Sequence, residues 1–319
     1  MCLAKFAVKY IRSSTGKYDA MRIAKQTPPA GVSVREFCYL NDGDPMHRLN
    51  VYRPEGAEGV LPLIINVHGG AWVYGDKDLN KYYCMYLASQ GFCVAGMSYR
   101  LMDDVTLKEQ AADVVAAISF VCGMSEELGA DTDNVMLSGD SAGGHLSSLA
   151  LALMRDPALA EVYGVEAPKC NVRCLVMSHP VGEVHSVMLG KDLKPSPFGS
   201  GIQRVFDKIL FGRHPKRNPV FGHSAFSEYS TGVSFPPVMI VGCERDVYAR
   251  HSMQLAGAFR NMVREGRCER FLFDFVKAQD ETRKLRHVYN IVHYEWEESK
   301  RVNDLSLAFF RESMGTEKR

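Results

Sequence analysis

The sequence predicts an α/β protein with a mainly parallel sheet flanked by helices. One pattern in the sequence predicts it. Short apolar runs of strand length alternate with longer stretches whose apolar residues recur at helical spacing. Alternation of this kind is typical of crossover connections between parallel strands. The 319 residues are enough for one large domain or two ordinary ones with a well-buried core.

The alternation begins near residue 32 and can be followed element by element. The predicted strands cover residues 32–40, 49–53, 63–68, 92–99, 134–138, 172–178, 237–241 and 268–275. Predicted helices cover residues 78–90, 106–128, 142–155, 247–264 and 303–312. The second helix shows its apolar face most clearly, with Ala111, Val114, Val115, Ile118 and Val121 at helical spacing.

Two regions do not fit the alternation, namely the first 45 residues or so and a Gly-, Pro-, Ser- and His-rich stretch at 182–234. Connections longer than about 15 residues in compact domains are usually lids or binding loops. We therefore predict a catalytic core from 46–181 and 235–319. Residues 1–45 and the insertion 182–234 are expected to cap a site above the sheet.

Composition narrows the range of partners. Lys and Arg number 38 and Asp and Glu 37, a net charge of +1, so no global field favours nucleic acid or an acidic membrane. No apolar run reaches the roughly 18 residues of a membrane-spanning helix, and the N-terminus does not resemble a signal peptide. The nine cysteines are scattered, which predicts reduced thiols and a cytoplasmic protein. The sequence does not indicate an oligomeric state.

The strongest local signal is Gly139-Asp-Ser-Ala-Gly143, a G-x-S-x-G pattern between a predicted strand and a predicted helix. Such a turn is so tight that only small residues fit beside the serine. It exposes the Ser141 hydroxyl at the carboxyl edge of the sheet. Ser141 also begins a helix, whose N-terminal amides favour developing negative charge. Ser141 is therefore the candidate nucleophile.

A second signal, His68-Gly-Gly-Ala-Trp72, follows an earlier strand. A tetrahedral acyl-transfer intermediate needs backbone N–H donors aimed at its oxygen, and glycines leave such amides unobstructed. We predict an oxyanion hole formed by the amides of Gly69, Gly70 and Ala142. His68 is expected to orient this loop.

A serine nucleophile needs a base and an acid that orients the base. In hydrolases with this elbow the acid and the histidine follow the serine in the chain. Asp246 comes just after an apolar strand and is the preferred acid, with Glu244 as its competitor. His287 follows the last strand and is the preferred base, with His293 as its competitor.

Together these residues resemble the hormone-sensitive-lipase-like group of α/β-hydrolases. The matching motifs are His68-Gly-Gly-Ala-Trp72, Tyr74-Gly-Asp76, Ser98-Tyr-Arg-Leu101, Gly139-Asp-Ser-Ala-Gly-Gly144, Gly242-Cys-Glu-Arg-Asp246 and His287-Val-Tyr289. They occur in the family's order over about residues 60–312. The resemblance implies an eight-stranded, mostly parallel sheet, a cap built from the N-terminus and an insertion, and hydrolysis of carboxylic esters. It assigns catalysis to Ser141, Asp246 and His287.

The hypothesis is therefore a serine carboxylesterase that acts on short- to medium-acyl esters, acetyl esters included, through an acyl-enzyme. We expect His68, Trp72 and Asp140 to contact the small-molecule ester. The sequence contains none of the common metal or nucleotide motifs, and the reaction needs no metal or cofactor. Two alternatives remain open: an amidase or aryl-formamidase that uses the same three residues, and a non-catalytic small-molecule receptor.

Overall fold

A computed structural model describes residues 2–102, 104–188 and 197–314. Eight strands form one sheet with the spatial order β1-β2-β4-β3-β5-β6-β7-β8. The strands are β1 (Val32–Cys38), β2 (Arg48–Pro54), β3 (Leu61–Val67), β4 (Cys93–Met97), β5 (Ala130–Asp140), β6 (Val172–Ser178), β7 (Val238–Cys243) and β8 (Phe271–Val276).

Most pairings in this sheet are parallel. Strand β2 pairs antiparallel with β1 and β4, and every pairing from β4–β3 to β7–β8 is parallel. The predicted α/β class and the eight-stranded, mostly parallel sheet are confirmed. Among the strands, the largest boundary difference is in β5, which begins at Ala130 because its polar first residues still pair with the start of β3.

Helices occupy both faces of the sheet. They are α1 (Cys2–Ile23), α2 (Lys81–Ser89), α3 (Leu107–Gly123), α4 (Ser125–Leu128), α5 (Ala142–Arg155), α6 (Pro157–Tyr163), α7 (Pro197–Phe211), α8 (Phe226–Tyr229), α9 (Ala249–Arg264), α10 (Tyr289–Val292) and α11 (Glu297–Ser313). Among the described residues, no helix combines the length and apolarity that crossing a membrane requires.

The sheet divides the interior into two apolar cores. Along β3, Leu63 and Ile65 face the core that also contains Val114 and Leu149, whereas Ile64 faces the core that contains Phe310. Side chains of a strand alternate between the two faces of its sheet. A strand covered on both faces is apolar throughout, which is why the parallel strands are continuous apolar runs in the sequence.

Strand register brings the two sequence motifs together. Val67, the last residue of β3, pairs with Gly139 of β5, and Asp140 pairs with Ser178 of β6. The loop after β3 therefore leaves the sheet beside the turn that follows β5. Both motifs lie at the carboxyl edge of the sheet, where parallel α/β proteins place their sites.

The regions predicted as a cap take different positions. The segment 1–45 contains α1, which lies over the carboxyl edge, and β1, which belongs to the sheet. Residues 189–196 of the predicted insertion lie outside the described residues. The described remainder contains α7 and α8, and Phe206 of α7 packs edge-on against Trp72 with ring centroids 5.8 Å apart.

Candidate active site

Ser141 occupies a strained turn between β5 and α5. Its φ is 51° and its ψ is −117°, a backbone conformation that residues other than glycine rarely adopt. The Ser141 amide donates to the carbonyl oxygen of Ser178 at 3.0 Å, and the Ser141 carbonyl accepts from the amide of His145 at 3.2 Å. These bonds hold the turn in a conformation that places Ser141 on a pocket wall.

The glycines around Ser141 are required by the close approach of neighbouring backbone. A Cβ on Gly139 would lie 2.4 Å from the carbonyl oxygen of Gly143. A Cβ on Gly143 would lie 2.1 Å from the carbonyl oxygen of Val67 and 2.4 Å from that of His68. The elbow and the strand end of β3 are therefore packed backbone against backbone.

Gly143→Ala is expected to lower the free energy of unfolding by about 3 kcal/mol or more, because backbone atoms must move to admit the new Cβ. Urea unfolding measures this. The control is Gly257→Ala in α9, where no heavy atom lies within 4 Å of the new Cβ and alanine favours the helix by up to about 1 kcal/mol. Equal stabilities of the two variants would contradict the close packing.

The loop after β3 makes an unusual left-handed turn. Gly70, Ala71 and Trp72 have φ values of 110°, 53° and 63°. Gly70 is needed here, because a Cβ would lie 2.0 Å from the carbonyl oxygen of Tyr74. Gly70 and Ala71 line the same pocket as Ser141, and no hydrogen bond from either amide is found among the described residues.

The Gly69 amide does not have its predicted role as an oxyanion donor. Its amide donates to Oδ1 of Asp140 at 3.0 Å, and Gly69 does not line the pocket. An N–H committed to a carboxylate is not available to an oxyanion, so the predicted set of donors is corrected. The candidate donors that remain are the amides of Gly70, its neighbour Ala71 and Ala142. Ala142 is the first residue of α5, so its N–H has no acceptor within the helix.

Asp246 and His287 are brought together from separate loops. Asp246 follows β7 and His287 follows β8, and Nδ1 of His287 lies 2.8 Å from Oδ1 of Asp246. The amide of Tyr248 donates to the same oxygen at 2.8 Å. Burial alone would raise the pKa of Asp246, but the hydrogen bond and charge of His287 outweigh it and lower that pKa below its ordinary value.

The competing acid and base have other contacts. Glu244 is exposed, and its carboxylate accepts the amide of Ala278 at 2.7 Å. His293 stacks on Trp296 with ring centroids 3.9 Å apart. Nδ1 of His293 lies 4.0 Å from Oε1 of Glu295, too far for a hydrogen bond, whereas His287 and Asp246 are 2.8 Å apart.

Ser141 and His287 line one cavity of about 430 Å³. The described residues contain no hydrogen bond between these two side chains, and in free enzymes this contact is often long and tightens when substrate binds. The cavity is walled by segments distant in sequence. Its lining residues are Thr15, Tyr18, Asp19, Gly70, Ala71, Tyr74, Leu79, Asn80, Asp140, Ser141, Tyr248, Lys284, Arg286, His287, Val288, Tyr289, Val292 and His293.

Comparison with known proteins identifies the family of the chain. The family model BD-FAE matches residues 49–258, more than half of the chain. The chain belongs to this family. Esterase B from Lactobacillus rhamnosis, solved in inhibited form, has a similar structure over 98% of this chain and 96% of its own, with 31% identity and a TM-score of 0.88. The predicted membership of the hormone-sensitive-lipase-like α/β-hydrolases is confirmed.

Curated relatives match shorter stretches. A probable isoprenylcysteine alpha-carbonyl methylesterase of Arabidopsis thaliana is 37% identical over 109 residues, 34% of this chain and 26% of that protein. The chain spans about a quarter of the length of the plant methylesterases that it matches. The probable carboxylic ester hydrolase LipM of Mycobacterium tuberculosis is 26% identical over 275 residues, 76% of this chain and 63% of that protein.

Two residues predicted to contact substrate are buried behind the site of this BD-FAE member. His68 is 2% exposed and stacks on Tyr99 at 4.4 Å between ring centroids, and burial lowers its pKa to about 4. Trp72 is 1% exposed, and its Nε1 donates to Nδ1 of His145 at 3.3 Å. Neither lines the pocket, so both lie behind the loop and do not face the cavity as predicted.

Asp140, by contrast, does lie at the pocket wall. Its Oδ1 accepts from the amide of Gly69 at 3.0 Å and from Nδ2 of Asn80 at 2.7 Å. Burial raises the pKa of Asp140 to about 6, against the opposing effect of the Asn80 hydrogen bond. Asp140 therefore ties the loop after β3 to the elbow, and its ionised form is costly in the folded protein.

Asp140→Asn is expected to stabilise the protein at alkaline pH. The raised pKa means that the folded state binds the proton of the Asp140 carboxyl more tightly than the unfolded chain does. The stabilisation that the protonated carboxyl contributes is fully present below about pH 4 and is lost as the pH rises through about 6. The full shift corresponds to about 3 kcal/mol. Asparagine keeps an oxygen for Gly69 and Asn80. Urea unfolding should show that Asp140→Asn increases the free energy of unfolding by about 1 kcal/mol more at pH 8 than at pH 5. An equal increase at both pH values would show that the pKa of Asp140 is not raised.

Several pocket residues were missed by the sequence analysis. Thr15, Tyr18 and Asp19 of α1 form one wall, and Tyr248 lies beside His287 with ring centroids 5.2 Å apart. Thr15 and Asp19 share one face of a helix through their spacing, but no motif marks α1 as part of a site. Only its docking over the carboxyl edge reveals it. None of the described residues of the predicted insertion lines the pocket.

Proposed function

We propose that the chain is a serine carboxylesterase that hydrolyses short- to medium-acyl esters through an acyl-enzyme on Ser141. The observation that carries this proposal is the convergence of Ser141, Gly70, Ala71 and the His287 of the Asp246–His287 pair on one cavity. Nucleophile, oriented base and oxyanion donors are the three components that acyl transfer requires. Membership of an esterase family supports the same reading.

The proposed reaction has two steps. His287 takes the proton of the Ser141 hydroxyl as Oγ attacks the ester carbonyl, and the amides of Gly70, Ala71 and Ala142 stabilise the oxyanion. His287 then protonates the leaving alcohol. In the second step His287 activates water, which releases the acid and restores Ser141. Asp246 holds the imidazole tautomer and stabilises its charged form.

The size of the cavity supports small substrates. Its volume of about 430 Å³ is near the lower end of the roughly 300–1,000 Å³ typical of ligand pockets. One inhibited structure of esterase B is described with a C4-C4 tributyrin phosphonate. A versiconal hemiacetal acetate esterase of Dothistroma septosporum matches 36% of this chain at 30% identity. Both names refer to short acyl groups.

A cytoplasmic location is part of the proposal. The cysteines whose side chains the structure describes, including the partly exposed Cys122 and Cys170, are free thiols. Free thiols in such number suit a reducing compartment.

The proposal is tested with p-nitrophenyl esters of acetate, butyrate, octanoate and palmitate. We expect kcat/KM to be highest for acetate or butyrate and to fall steeply at palmitate, because the cavity cannot enclose a long chain. An aryl formamide measured in parallel separates the amidase alternative. Hydrolysis of the amide alone, or of palmitate in preference to butyrate, would contradict the proposed substrate class.

A further inference from the structure

The turn that carries the proposed oxyanion donors is strained. Gly70, Ala71 and Trp72 all have positive φ, a region that is unfavourable for residues other than glycine. Such a turn persists only where surrounding contacts hold it. The contacts that hold it therefore decide where the amides of Gly70 and Ala71 point.

Two carbonyl groups directly after Ala71 are held by other elements. The carbonyl oxygen of Trp72 accepts from Nε2 of Gln110 at 2.8 Å and from the amide of Met102 at 2.9 Å. The carbonyl oxygen of Val73 accepts from Nε of Arg12 at 2.7 Å, and Nη2 of Arg12 donates to the carbonyl oxygen of Met102 at 3.2 Å. Arg12 thus joins α1 to both segments that fix the turn.

Helix α1 is itself anchored along the face that carries Arg12. Gly16 packs against the Tyr74 ring, since a Cβ there would lie 3.6 Å from that ring. Further along, Arg22, which pairs with Asp19 within the helix, donates from Nη2 to the carbonyl oxygen of Leu79 at 3.4 Å. Just beyond the helix end, Nε2 of Gln26 donates to the carbonyl oxygen of Val292 at 2.9 Å. Positions three or four apart lie on one helix face, so these contacts fix the position of the face that carries Arg12.

We propose that Arg12 is a positioning residue for the oxyanion loop, supplied by the helix that also walls the pocket. This inference rests on the proposed function, because it assumes that Gly70 and Ala71 donate to the oxyanion. The positively charged guanidinium makes a strong, short hydrogen bond to the Val73 carbonyl. Without this hydrogen bond the turn relaxes, and the amides of Gly70 and Ala71 move away from the position of the oxyanion. The transition state is then less stabilised, whereas binding of the ester, which carries no oxyanion, is unchanged.

Arg12→Gln tests the proposal. With p-nitrophenyl butyrate we expect kcat to fall by about 10- to 100-fold, less than the loss of a whole donor, while KM stays within about twofold. A trifluoromethyl ketone, which forms an oxyanion on the serine, should bind more weakly by the same factor as kcat/KM falls. Arg12→Lys keeps a charged donor and should give an intermediate kcat.

Lys17→Gln is the matched control, because it removes the same charge from an exposed position on the same helix. It should leave kcat, KM and inhibitor affinity unchanged. Detachment of α1 would instead raise KM, because Thr15 and Tyr18 would leave the pocket wall. If thermal denaturation shows that Arg12→Gln is unfolded, Arg12→Lys carries the same comparison.

The outcomes separate the two proposals. An active wild-type protein whose Arg12 variants retain kcat, or lose only in KM, overturns the positioning role and leaves the esterase proposal intact. A folded wild-type protein that neither hydrolyses esters nor reacts with a fluorophosphonate at Ser141 overturns the proposed function and the positioning role together.

Discussion

Ser141→Ala is expected to lower kcat for p-nitrophenyl butyrate by at least about 10⁴, because the acyl-enzyme cannot form and only binding and the oxyanion donors remain. The side chain contributes Oγ at the elbow, and Ser141 is the only serine among the described residues that line the pocket. Initial rates at high enzyme concentration measure the residual activity. Circular dichroism and thermal denaturation establish that the variant is folded.

Ser141→Gly provides the matched variant. It also lacks Oγ, but glycine accepts the φ of 51° and ψ of −117° at little steric cost. We therefore expect equal inactivity and a free energy of unfolding about 1 kcal/mol above that of Ser141→Ala. Substantial turnover by both folded variants would show that Ser141 is not the nucleophile.

Asp246→Asn is expected to have the second-largest effect, a fall in kcat on the order of 10²–10⁴. The Tyr248 amide donates to Oδ1, so asparagine is expected to keep its oxygen at that position and to retain the contact with Nδ1 of His287. What is lost is the negative charge that stabilises the imidazolium of the transition state. Single-turnover kinetics with p-nitrophenyl acetate measure the acylation step directly.

Glu244→Gln is the control for this charge. Glutamine retains an oxygen for the amide of Ala278, and the position is exposed. We expect its kcat to remain within about twofold of wild type. A larger loss in Glu244→Gln than in Asp246→Asn would assign the acid to Glu244 and refute the Asp246–His287 pairing.

Much of the fold could be predicted from the sequence because buried parallel strands are continuous apolar runs, as in β6 and β7. Strand ends were less predictable. The polar first half of β5 is a strand because it pairs with β3, and pairing leaves no trace in local apolar periodicity. Helix α6 was missed, although Asp156 caps it and Pro157 begins it, which is a recognisable start signal.

The proposed site was predictable where backbone geometry restricts residue type. Gly139 and Gly143 leave no room for a side chain, so the elbow is visible in the sequence. The direction in which an amide or a side chain points cannot be predicted from the sequence. Gly69 and Gly70 are adjacent glycines in the sequence, yet the amide of Gly69 donates to Asp140 while Gly70 lines the pocket. Trp72 is turned inward by a left-handed φ of 63°. The wall made by α1 depends on long-range docking through residues such as Arg12.

Identification of the residue that a fluorophosphonate modifies shows whether Ser141 is the nucleophile. The wild-type protein is reacted to completion, digested and mapped by mass spectrometry, with ester hydrolysis followed in parallel. We expect one adduct per chain, on the Ser141 hydroxyl, and loss of hydrolysis in proportion to labelling. Complete loss of hydrolysis with Ser141 unmodified, or full hydrolysis with Ser141 modified, would contradict this role of Ser141.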